Sequence, residues 1–114
     1  MSTTQAALSP VRSLISQRLQ RYGWRLNTGS ALAVKTFRTA VGDRDAFVYL
    51  ADFGKDSREF MLQGDYQSEG RNHLDPHPIL FAKTSTPEEI QNAASRFAVL
   101  VDAAIANTYA MRLA

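Results

Sequence analysis

The chain has 114 residues, 45% of them hydrophobic and 21% charged, with a formal net charge of +2 and no cysteine. Those values suit one globular domain whose core is large enough to fold without a metal or a disulfide. The lack of thiols excludes disulfides, thiolate metal sites and cysteine nucleophiles, and it fits a reducing compartment.

The first residues, MSTTQAALSPVRSL, hold no basic stretch followed by an apolar run, so no secretory signal is expected. No apolar stretch is long enough to span a bilayer, because Asp102 interrupts the richest one, 97–105. A soluble, cytoplasmic protein with no membrane partner is the expectation. Residues 1–9 are small and polar and read as a flexible terminus. Residues 10–114 read as a single domain.

A helix is expected to begin at Ser9-Pro10, since serine caps a helix well and proline fits the first helical position. Val11, Leu14, Ile15, Leu19 and Tyr22 follow at helical spacing and form one apolar stripe. Gly23 can adopt a left-handed conformation and supplies the stop. From Trp24 the texture turns to β-branched and aromatic residues. A short strand is predicted at 24–26, a turn at 27–30 and a longer strand at 31–41. Gly42-Asp43-Arg44-Asp45 reads as a second turn. The strand over 46–53 has Phe47, Tyr49, Ala51 and Phe53 on one side and Val48 and Leu50 on the other, which marks a central strand. After a turn at 54–57, the strand at 58–67 puts Phe60, Leu62 and Tyr66 on one side and Gln63 and Asp65 on the other. Gly64 interrupts that strand and signals a bulge or a close backbone approach. Residues 68–76 read as a polar loop. Residues 78–82 read as a short edge strand, because a proline cannot donate to a ladder.

The last helix has the strongest signals. Thr86-Pro87-Glu88-Glu89 offers a capping threonine, a first-turn proline and a glutamate three residues after the cap. Ile90, Ala94, Phe97, Val101, Ala104, Thr108 and Met111 then make one stripe, widened by Leu100 and Ile105. A helix over 87–112 would be on the order of 39 Å long, against roughly 20–25 Å for the width of a small sheet. The expected class is therefore α+β: an N-terminal helix, an antiparallel sheet of four to five strands, and a long C-terminal helix packed across the sheet.

Charge is unevenly placed. Residues 1–42 hold Arg12, Arg18, Arg21, Arg25, Lys35 and Arg38 and no acid, giving +6, while 43–114 carry −4. With Tyr22, Trp24 and Phe37 interleaved, the basic region could suit a nucleic-acid partner, with Arg71 a further binding candidate. The simpler reading makes Tyr22 part of the helix stripe, Trp24 a core anchor and Arg18 a residue lying over the core edge.

The richest polar cluster is Asp65, Ser68, Glu69, Arg71, Asn72, His73, Asp75 and His77. His73, Asp75 and His77 alternate and would share one side of an extended strand, as metal ligands could. However, prolines flank His77 and the chain has no third histidine, so no metal and no cofactor is assigned. Pairing His73 or His77 with Asp65 or Glu69 would give an acid–base site. The same residues suit a structural loop, and no nucleophile elbow, phosphate loop or dinucleotide fingerprint is present. Catalysis is not the expectation.

What remains is a small non-catalytic binding or interaction module, of a kind common among small bacterial accessory proteins. Its partner would be a protein, a small molecule held between helix and sheet, or a second copy. A homodimer through the C-terminal helix, the sheet edge or both is expected. The helix outreaches the sheet, and Ala104, Ile105, Tyr109, Ala110, Met111 and Leu113 keep its end apolar on more than one side. Ala94, Ala98, Ala103 and Ala106 would let another backbone approach closely.

Overall fold

A computed structural model describes residues 3–26, 29–39, 42–68, 71–74 and 78–110, with side chains described over 10–26, 29–39, 42–65 and 78–106. The element order is α1 (Thr3–Gln20), β1 (Arg25–Leu26), β2 (Ala33–Thr39), β3 (Gly42–Asp52), β4 (Glu59–Ser68), β5 (Arg71–Leu74), β6 (Ile79–Ala82) and α2 (Pro87–Ala110). The class is the expected α+β. The described strand pairings are all antiparallel, in the order β1-β2-β3-β4-β5, with β6 also on β4.

The α1 stripe forms as the spacing predicts: Val11, Ile15 and Leu19 are buried, and Leu14 and Tyr22 pack at the core's edge. Gly23 ends the helix with φ +92°. Its N–H bonds the Gln20 carbonyl at 3.2 Å and the Trp24 N–H bonds the Leu19 carbonyl at 3.2 Å, the pair of bonds of a Schellman cap. That cap delivers Trp24 into the core beside Leu19, its ring tilted on Phe97 with centroids 5.9 Å apart. The start differs from expectation. The helix begins at Thr3 and Pro10 lies inside it. A proline removes one helical N–H bond, and here that loss does not end an 18-residue helix.

The predicted turn at Gly42-Asp45 is instead the first part of β3. Thr36 faces Asp45, Phe37 faces Arg44 and Arg38 faces Asp43 across the ladder. Cross-strand polar pairing explains these polar residues: Thr36 Oγ1 donates to Asp45 Oδ1 at 2.6 Å. The predicted loop at 68–76 likewise contains β5, antiparallel to β4.

Gly64 does not break the β3–β4 ladder, which runs without a gap from Ala46↔Tyr66 to Asp52↔Phe60. On the other side of β4, Asp65 faces Leu74 of β5 and Leu62 faces Ile79 of β6, so β5 and β6 both pair with β4 along its length.

One face of the sheet supplies Ala33, Ala46, Val48, Phe60, Leu62, Ile79 and Phe81 to the core. α2 lies against β2, β4 and β6 on that face, and α1 lies beside α2. The α2 residues buried there are Ile90, Ala93, Ala94, Phe97, Ala98, Val101 and Ile105. Leu100 is exposed, so Ala93 and Ala98 widen the stripe where Leu100 was expected to. The capping box is present: Thr86 N–H donates to Glu89 Oε1 at 2.8 Å and Glu89 N–H to Thr86 Oγ1 at 3.2 Å.

Candidate functional site

The cations of the first 42 residues do not gather on one surface. Arg18 Nη1 donates to Ser95 Oγ at 2.9 Å and Nη2 to Gln91 Oε1 at 3.4 Å, tying α1 to α2. Lys35 Nζ pairs with Asp102 Oδ1 at 3.0 Å and sits 4.8 Å from the Phe37 ring centre, tying β2 to α2. Asp102, which broke the apolar run in the sequence, is there for that bond. Arg12 lines a shallow polar groove with Ser13, Ser16, Gln17, Gln20 and Leu26. Arg21, Arg25 and Arg38 are exposed. Of the interleaved aromatics, Trp24 is buried and Tyr22 and Phe37 are partly buried against the core.

In the polar cluster, Asp65 is partly buried within β4. The backbone register places His73 opposite Tyr66 and Arg71 opposite Ser68. Glu69, Asp75 and His77 lie outside the described residues, as do the side chains of Arg71 and His73. Among the described residues no three His, Asp or Glu side chains cluster as metal ligands would. No described helix is long and apolar enough to cross a membrane.

A second polar cluster escaped the sequence reading. Lys83, just past β6, donates to Asp52 Oδ1 at 2.7 Å and to the Gly54 carbonyl at 2.8 Å. The Gly54 N–H donates to the same Asp52 oxygen at 3.1 Å, and the ammonium lies 5.2 Å from the Phe60 ring centre. The hydrogen bond from Lys83 holds the Asp52 carboxyl below its ordinary pKa, and the Gly54 N–H adds to this against a smaller cost of desolvation. Gly54, with φ +101°, makes the turn that brings its amide to the carboxylate. The cluster fastens the end of β3 to the end of β6.

Among the described residues, neither helix packs on the sheet's second face. Most buried strand residues alternate with those on it, Val34 being buried on this face at 8% exposed, and α2 packs on the opposite side. The registers place Arg25, Val34, Phe47 and Asp65 in one row across four strands of this face. Beyond one side of that row stand Thr36 and Asp45, then Arg38 and Asp43. Beyond the other stand Tyr49 and Gln63, then Ala51, Met61 and Leu80. Both Arg25 Nη atoms donate to Thr36 Oγ1 at 3.4 Å, and that hydroxyl donates to Asp45. Leu80 is 52% exposed, and Phe53, just past β3, is 60% exposed. The face therefore has a charged end, a mixed centre and an apolar end.

A scan of family models and searches of curated proteins and of solved structures find no match to the chain.

Proposed function

We propose that the chain is a non-catalytic binding module that acts by self-association. The observation that carries this reading is the one-sided helix layer. Both helices cover the same face of the sheet, and the other face keeps Phe47, Tyr49, Ala51, Met61 and Leu80 without a covering element among the described residues. Open antiparallel faces of monomers are normally polar, and a contiguous apolar area marks a contact surface. Phe97, Leu62, Val48 and Trp24 fill the space between helices and sheet among the described residues, which weakens the small-molecule alternative there. The polyanion alternative loses support from Arg18 and Lys35, which are already engaged inside the fold.

Sedimentation velocity at micromolar concentration tests the reading. The expected result is a species of about twice the 12.7 kDa chain mass. A single species of 12.7 kDa throughout overturns it.

A further inference from the structure

The geometry points to a specific mode for that self-association: the open sheet face docks on the same face of a second copy, about a two-fold axis running along the strands between β2 and β3. This rests on the self-association reading and goes beyond it by naming the surface, the symmetry and the pairs.

The inference comes from the charges on the face. A two-fold axis parallel to the strands keeps each level along the strands and exchanges the columns on either side. With the axis between β2 and β3, β2 lies over the partner's β3 and β1 lies over the partner's β4. The row Arg25–Val34–Phe47–Asp65 then meets its own reverse. Arg25 lies over Asp65, and Val34 over Phe47, and both contacts occur twice. One level along, Thr36 lies over Asp45, a polar contact in which the Thr36 proton stays on its own chain's Asp45. At the charged end Arg38 lies over Asp43. Every basic residue of these three levels meets an acid, as an isologous interface requires, while Ala51, Met61 and Leu80 lie past the levels where β1 and β2 are paired and stay outside the contact. An axis across the strands instead would place the charged end over Ala51, Met61 and Leu80, leaving the charges desolvated without partners.

The shape agrees. Twisted sheets packed face to face keep their strands within about 30° of each other, which an axis along the strands provides.

The experiment is sedimentation velocity on the full chain and four samples: Arg25→Glu, Asp65→Arg, an equimolar mixture of those two, and Val99→Glu on the exposed side of α2. The wild type is expected to dimerise. Each charge reversal should raise Kd about tenfold or more by placing like charges together. The mixture should recover the wild-type Kd. In the mixed dimer the glutamate introduced at position 25 of one chain meets the arginine introduced at position 65 of the other, and the second contact keeps its native Arg25 and Asp65. Recovery also shows that both variants are folded. Val99→Glu should leave Kd unchanged. Charge variants that dimerise like the wild type, or a mixture that fails to recover, overturn the sheet-face mode. If Val99→Glu alone abolishes the dimer, the sheet-face mode is likewise overturned, while self-association stands and α2 carries it. A monomeric wild type removes both readings.

Discussion

Asp52 shows how the fold changes the chemistry of one residue. Its carboxylate accepts from the Lys83 ammonium and the Gly54 amide, and its pKa falls below the ordinary value chiefly because of the Lys83 bond. A carboxyl with a depressed folded pKa adds stability above its unfolded pKa and loses it as pH falls through the folded one. Asp52→Asn should therefore lower the denaturation midpoint near neutral pH, and the difference from wild type should shrink in strong acid. An NMR titration should place the Asp52 midpoint below that of an ordinary aspartate, and Lys83→Met should raise it. The pair was illegible in the sequence for a physical reason: its members lie 31 positions apart and meet only because β3 and β6 both pair with β4. Trp24 was legible as a core anchor. Its Nε1 donor is buried without an acceptor, so the area of the ring must outweigh that cost.

At the scale of elements, local signals were read well and long-range ones were not. The Thr86–Glu89 box, the Gly23 stop, the α1 stripe and the Ile90–Ala94–Phe97–Val101–Ile105 part of the α2 stripe are written in nearby residues and form as expected, while Leu100 is exposed and the side chains of Thr108 and Met111 lie outside the described residues. Thr86→Ala should cost about 1 kcal/mol through the loss of the N-cap acceptor, measured by urea denaturation. Glu89→Gln should cost less, since its amide oxygen can still accept from the Thr86 N–H. β5 was missed because a strand of four residues between polar neighbours has no periodicity of its own, and its partner β4 makes it a strand. The first part of β3 was missed because Gly, Asp and Arg are also turn formers. Only pairing with Thr36, Phe37 and Arg38 decides between the two states. Alanines 94 and 98, read as room for a partner's backbone, are buried in the chain's own core.

Across the whole molecule, the two faces of the sheet divide the labour. The covered face carries the stability. Phe97 is 0% exposed and packs on Trp24, so Phe97→Ala should cost about 3–5 kcal/mol by lost contacts and a cavity. Val99, two residues on and 56% exposed, should cost no more than about 0.5 kcal/mol when changed to Ala. Paired denaturation curves check both. The open face was partly legible. Apolar residues on both sides of 46–53 marked β3 as central, and it lies third in the sheet order. Its charge pattern was not legible, because Arg25 and Asp65 share a row only through three successive registers.

The sheet's two borders have a consequence for how large any assembly can grow. Among the described residues, one border carries β1, two residues long, and the other β5 and β6, four residues each. Short edge strands are one way natural sheets avoid polymerising. Growth by repeated strand addition, the route to fibres, is blunted at both ends. In the proposed dimer, docking through the face is self-limiting, because each copy has one such face and pairing hides it. Concentrating the protein should therefore saturate a dimer and leave light scattering flat, with no continuing rise toward filaments.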